Sequence, residues 1–229
     1  MTKPDSKPRL VLASQSPARL ATLRGAGVEP IVRVSGVDED AVVTELRRQT
    51  DGEPSPTQIV CAQAEAKALE VATRFAAELD EGTDSASVYL TVGCDSMLEI
   101  NGRMVGKPGT AKVAKERIRE MRGTNATLWT GHALVAIRGP KWDVGQPITE
   151  AASTTVHFGQ ISDDEIDAYV ATGEPLNVAG SFTIDALGGP FVEGVTGDPH
   201  SVVGISLPLL KKLVDQTGTF WPDLWTESN

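Results

Sequence analysis

Three short stretches carry residue types whose spacing suits the handling of an anion: Ser14-Gln15-Ser16-Pro17-Ala18-Arg19, an Ala-rich segment around Lys67, and Thr91-Val92-Gly93-Cys94-Asp95-Ser96. The first joins an apolar run, Arg9 to Ala13, to a helix start, where Ser16 can cap and Pro17 suits the first turn. A strand feeding a helix N-terminus presents backbone amides and the positive end of a dipole. Hydroxyls of Ser14 and Ser16 and the guanidinium of Arg19 would add side-chain donors. The same residues also describe a capped helix with a surface arginine. Lys67 has Val60 and Ala64 before it and Val71 after it at helical spacing, so it sits at the edge of an apolar face, where it either snorkels or serves a site. Asp95 stands at the end of an apolar strand beside a glycine that lets another group come close. Such a carboxylate can hold a divalent metal, take a proton from water, or simply form a turn.

Other candidates are weaker. Gly106-Lys107-Pro108-Gly109 is not a Walker loop, because the spacing is short and proline follows the lysine. Asn177 to Phe182 and Gly197 to Ser201 are Gly-rich turns. His132, His157 and His200 lack metal-ligand spacing, and no Ser-His-Asp set is evident. Cys61 and Cys94 are too few for a disulfide framework, which points to a reduced, cytoplasmic setting. The acidic stretches Asp38-Glu39-Asp40 and Asp163 to Asp167 read as solvated or capping.

The elements that must position these residues follow from pattern. Helices are expected over Ala18 to Ala26, from Pro56 to about Leu79, over Thr110 to Arg122, from Ser162 to near Gly173 with capping-box spacing, and over Ser201 to Asp215. Strands are expected at Arg9 to Ala13, Ile31 to Val34, Val88 to Val92, Leu128 to Ile137 and Ala151 to Phe158. Met97 to Ile100 and Arg103 to Val105 spell a hairpin around Asn101-Gly102. Gly82 to Ala86 reads as a loop. Strands and helices mix without strict alternation, which predicts an α/β chain with a mixed, partly antiparallel sheet.

The chain has 229 residues, 40% hydrophobic and 23% charged, enough for a core without staples. No apolar run of ~18 residues suggests a membrane span, and the opening residues lack the apolar stretch of a secretion signal. With 21 basic against 31 acidic residues the net charge is −10, which argues against nucleic acid or an anionic membrane as partner. A small polyanionic ligand would need a local basic cluster working against that field.

In order and spacing together, these motifs resemble the Maf family of nucleoside triphosphate pyrophosphatases. The resemblance runs from Leu12-Ala13-Ser14-Gln15-Ser16-Pro17-Ala18-Arg19 through the Gly36 to Glu39 turn and Ala64-Glu65-Ala66-Lys67-Ala68. It continues through Asp95, Gly106-Lys107-Pro108, Ala179-Gly180 and the Gly197 to Gly204 stretch, spanning about residues 9 to 213. It implies a mixed twisted sheet flanked by helices, in two lobes around a central cleft. It also implies hydrolysis of a nucleoside triphosphate to the monophosphate and pyrophosphate with a divalent metal, Mg²⁺ or Mn²⁺. Residue by residue, it makes Asp95 the proton acceptor and Glu39 a metal or water ligand beside it. Lys67 and Lys107 join Ser14, Ser16 and Arg19 on the triphosphate. Ala18, Ser96 and Asp185 stand where the family sets base choice, and all three depart from its usual residues, as Asn177-Val178 departs from its Asp-Lys. Cytoplasmic location, a homodimer and an association with halting septum formation are further implications. The expected organisation is a lead-in over 1–8, one two-lobed domain over 9–215 and a tail over 216–229. Two other readings remain at this point: a nucleotide-binding regulator of division proteins that needs no turnover, and a phosphatase that releases orthophosphate.

Overall fold

The computed structural model describes residues 7–79 and 86–226. Residues 1–6 of the expected lead-in and 82–85 of the expected loop lie outside the described residues. Strand β1 (Arg9–Leu12) pairs in parallel with β2 (Ile31–Val32) and with β3 (Val88–Ile100). The chain then turns at Asn101-Gly102 into β4 (Arg103–Val105), antiparallel to β3 with Leu98 opposite Val105. Both turn residues have positive φ, 49° and 75°, as a two-residue hairpin turn requires. β5 (Asn125–Arg138) pairs antiparallel with β6 (Asp143–Val144), and β7 (Ile148–Phe158) with β8 (Val192–Thr196). The strand order is β2-β1-β3-β5-β7-β8, with β4 on β3 and β6 on β5. The expected mixed α/β sheet is what the chain forms.

The helices are α1 (Pro17–Gly25), α2 (Glu39–Gln49), α3 (Pro56–Ala76), α4 (Ala111–Met121), α5 (Asp163–Ala171), α6 (Pro199–Val203) and α7 (Leu207–Gln216). Two compact units gather them. The first comprises the described residues of Met1–Asp95, Gly131–Ala151 and Leu207–Asn229; the second comprises Ser96–Thr130 and Ala152–Ser206. By residue number, β3, β5 and β7 each contribute to both.

In the first unit, α3 is the central helix. Ser55 opens it with a capping box to Gln58, and its inner face is small: Val60, Ala64, Ala68 and Val71 are fully buried. That face lies so near the strands that a Cβ on Gly93 would stand 2.3 Å from the Ala64 carbonyl oxygen, and one on Gly131 2.1 Å from that of Val60. Glycine is required at both positions by close approach. At the helix end, Phe75 meets Tyr89 edge to face at 5.1 Å, and Tyr89 meets Trp142 at 5.5 Å. Beyond α7, the Thr226 N–H donates to the Gly27 carbonyl at 2.9 Å.

The second unit has its own core, in which Leu98, Ile118, Leu128, Val156 and Ile166 are almost fully buried. Ser162 opens α5 with a capping box to Glu165, as its spacing predicts.

Five features differ from the sequence expectations. Val88 to Val92 is only the first part of β3, so Asp95 lies inside a 13-residue strand and not at its end. Glu39 and Asp40 are the first turn of α2, whose N-cap is Asp38 and which sequence reading missed. No residue of α2 is fully buried, but Val42, Val43 and Leu46 are half-buried at helical spacing, an apolar stripe that sequence reading passed over together with the acidic first turn and the Arg47-Arg48 last turn. The helix expected over Ser201 to Asp215 is two, broken where Gly204 takes φ 114°. Strand β8 was also missed, and β2 is shorter than expected.

Candidate active site

Seven of the sequence-derived candidates, Ser14, Ser16, Ala18, Arg19, Glu39, Lys67 and Asp95, fall in the first unit, on α1 and the turn before it, α2, α3 and β3. Ser14 follows β1, and the Ala13 N–H donating to the Val92 carbonyl at 2.8 Å keeps that exit against β3. The Ser14 hydroxyl oxygen accepts from the Ser16 N–H and from Arg19 Nη1, both at 3.2 Å. Arg19 Nη1 also donates to the Cys94 carbonyl at 2.9 Å. Ser16 caps α1, its side chain accepting from the Arg19 N–H at 3.4 Å. The strand-to-helix turn is therefore tied by one guanidinium to the residue just before Asp95. No residue type signals this contact, because its acceptor is a main-chain carbonyl.

Lys67 is the centre of the arrangement. Its Nζ lies 2.6 Å from Asp95 Oδ1 and 2.6 Å from Glu39 Oε1. The side chains of Lys67 and Asp95 are 11% and 10% exposed, that of Glu39 50%. Three elements meet at this ammonium: α3 supplies Lys67, β3 supplies Asp95 and the first turn of α2 supplies Glu39. The approach to α2 is held on α3 by Arg74, which donates to the Val34 carbonyl at 2.7 Å, and by Glu70, which accepts from the Gly36 N–H at 3.4 Å. The glycine that the sequence marks as allowing a close approach, Gly93, admits α3, and α3 brings Lys67 to Asp95.

Burial pushes the Asp95 carboxyl above its ordinary range; Lys67 and Arg19 pull the other way without overcoming it, and Glu39 adds to the rise. Burial likewise raises the Cys94 thiol to about 11, so it is a packed neighbour and not a nucleophile. Two cations and two carboxylates leave Arg19, Lys67, Glu39 and Asp95 neutral as a set. The basic cluster that a polyanion needs is not supplied by these four groups alone.

The other candidates make none of these contacts. Ala18 is half-buried in the first turn of α1. Lys107, Ser96 and Asp185 belong to the second unit. Lys107 is exposed on a loop fixed by Arg117, whose Nη1 donates to the Gly106 carbonyl at 2.5 Å, and by the Gly109 N–H on the Leu176 carbonyl at 3.2 Å. Ser96 shares a 2.9 Å hydroxyl contact with Thr130, which in turn donates to the Ser201 carbonyl. Asp185 is exposed on the loop between Phe182 and Gly189. Among the described residues no group of three or more His, Cys, Asp or Glu side chains is arranged to hold a metal ion. Nor is any described helix long and apolar enough to cross a membrane.

Comparison with known proteins bears on this geometry. A family model described as Maf-like protein matches residues 9–217. A protein of Rhodococcus erythropolis is 47% identical over 217 residues, covering 95% of this chain and 96% of its own length. One of Saccharopolyspora erythraea is 50% identical over 221 residues, covering 95% and 97%. One of Streptomyces coelicolor is 46% identical over 224 residues, covering 97% of each. All three carry the name nucleoside triphosphate pyrophosphatase.

Proposed function

The chain belongs to the Maf-like protein family, and from that premise we propose that it hydrolyses nucleoside triphosphates to the monophosphate and pyrophosphate, with Asp95 as the base that activates water. The observation that carries this reading is the Lys67 ammonium 2.6 Å from both Asp95 and Glu39. A buried carboxylate with a raised pKa holds a proton near neutrality better than an exposed one does, which suits a general base. Lys67 offsets the cost of keeping that carboxylate ionised in the strand. Ser14, Ser16 and the α1 N-terminus, with Arg19, form an anion-binding turn for phosphate oxygens. A regulator that needs no turnover has no use for a buried base paired in this way, and the name of the relatives does not favour it.

The donor chemistry fits a divalent cation. Glu39 and Asp95 offer two carboxylates, and Mg²⁺ is commonly held by one or two carboxylates together with substrate phosphates and water. Bound there, Mg²⁺ or Mn²⁺ would neutralise triphosphate charge and polarise the phosphorus under attack. The neutrality of the four charged groups supports this need.

Finer points rest on the family resemblance. Lys107 is proposed as a further triphosphate ligand, and Ala18, Ser96 and Asp185 as residues that select the base. A carboxylate only accepts hydrogen bonds, and guanine offers an adjacent N–H and NH₂ where uracil and thymine offer one N–H between two carbonyls. Asp185 thus favours guanine-type triphosphates over dTTP and UTP, with Ala18 leaving room for a purine. A cytoplasmic setting, a homodimer and an effect on cell division are proposals of the same kind.

The test of the base is Asp95→Asn. The amide keeps the shape but cannot take the proton, so turnover should fall about 10²–10⁴-fold with the fold intact by circular dichroism. Hydrolysis at close to the parental rate would make Asp95 a structural residue.

A further inference from the structure

Outside this site, the carboxylate of Glu174 accepts from four donors. Glu174 begins a short 3-10 helix, Glu174–Asn177, directly after α5 and Gly173. Its Oε1 accepts from the Thr183 hydroxyl at 2.5 Å, the Tyr169 hydroxyl at 3.0 Å and the Gly188 N–H at 3.2 Å. Its Oε2 accepts from the Leu187 N–H at 3.3 Å. Thr183 lies two residues before Asp185, and Leu187 and Gly188 two and three after it, so both ends of the loop that carries Asp185 close on the same side chain. The tip between them, Asp185 to Leu187, is exposed.

The closure is tight. The Tyr169 hydroxyl also accepts from the Thr183 N–H at 3.2 Å, and the Thr183 hydroxyl from the Gly188 N–H at 3.1 Å. A Cβ on Gly188 would stand 2.6 Å from both the Thr183 carbonyl and the Tyr169 hydroxyl. Burial works against the charge on Glu174, yet the hydrogen bonds from Thr183, Leu187, Tyr169 and Gly188 together hold its carboxyl below the ordinary carboxylate range. A Gly-Glu-Pro after a helix carries no periodic signal, and sequence reading passed over it.

We propose that Glu174 is a positioning residue for base selection: its carboxylate clamps the 183–188 loop in one conformation and so fixes where Asp185 stands. This rests on the reading that Asp185 faces the base. Glutamine at 174 has one acceptor oxygen and a donor amide, so it cannot face all four donors. In Glu174→Gln the loop opens on at least one side and Asp185 loses its fixed position. A merely structural role would lower the melting temperature and scale all substrates alike. A positioning role changes their ratio.

The experiment compares the parent, Glu174→Gln and Asp185→Gln. It measures kcat and KM for GTP and UTP side by side, with hydrogen exchange at the Leu187 and Gly188 amides by NMR. In Glu174→Gln, exchange at both amides should quicken at least tenfold. The GTP-to-UTP ratio of kcat/KM should move toward one at least threefold, through KM, with kcat for GTP within about twofold of the parent. A ratio shifted by Asp185→Gln but not by Glu174→Gln overturns this inference and leaves the reading of Asp185 standing. A ratio unmoved in both overturns the inference together with that reading. Unchanged amide exchange in Glu174→Gln overturns the clamp itself. Should Glu174→Gln not fold, Thr183→Ala removes one of the same donors and must shift the ratio in the same direction, or the inference fails.

Discussion

The Lys67 side chain joins two carboxylates that belong to different elements, and its removal has two separable consequences. In Lys67→Met the buried Asp95 loses its cation. Breaking one partner of a buried pair typically costs about 3–5 kcal/mol, so the variant should unfold at markedly lower denaturant concentration near pH 8. The sign with pH follows from burial, which holds the folded Asp95 carboxyl above its unfolded value. Folding then takes up a proton, and stability from that source is present at low pH and lost as pH rises through the folded pKa. Without Lys67 that pKa climbs further, so the deficit of the variant relative to the parent should shrink as pH falls, and the acid limb of its residual activity should move to higher pH. A deficit independent of pH would mean that Asp95 does not titrate in this way. Much of this residue-scale picture was legible: Asp95, Lys67 and Glu39 were identified in sequence and stand together. What could not be read were the contacts of Arg19 and Glu174, because Cys94 acts on Arg19 through a backbone carbonyl and the donors to Glu174 lie 5 to 14 residues away.

At the scale of elements, the site depends on how closely α3 lies on the strands. A Cβ at Gly93 would meet the Ala64 carbonyl oxygen at 2.3 Å and the Ala68 nitrogen at 2.7 Å, both on the helix backbone, which cannot rotate away. Gly93→Ala therefore displaces α3, and with it Lys67. Overpacking of this kind costs about 1–3 kcal/mol, and the lost register between Lys67 and Asp95 should lower kcat at least tenfold. Gly25→Ala, where nothing lies within 4 Å, is the control and should leave both stability and kcat near parental. Equal behaviour of the two variants would contradict this role for Gly93. Here sequence reading was half right. Gly93 was read as a place of close approach, but the Gly-Cys-Asp-Ser run was taken to end the strand, since glycine and aspartate usually do so. In the fold, Gly93 admits the helix and Asp95 pairs with Lys67, so packing and ion pairing override strand propensity. The signal for α2 was present and passed over, Val42, Val43 and Leu46 at helical spacing between an acidic first turn and Arg47-Arg48, whereas the break at Gly204 is invisible to an apolar pattern that continues across it.

For the whole molecule, a net charge of −10 and a candidate-site set whose four charges cancel describe a protein poorly suited to holding a triphosphate by its side chains alone. The fold class was legible from the uneven mixture of strands and helices, while the division into two compact units, with three strands contributing to both, has no marker in composition or linkers. The measurement that tests the function most directly uses the intact protein: incubate GTP and UTP with Mg²⁺ or Mn²⁺, follow phosphorus NMR, and repeat in excess EDTA. A nucleoside monophosphate and pyrophosphate should form in equal amounts, and chelation should abolish turnover. Orthophosphate as the first product, or full activity in EDTA, would contradict this chemistry.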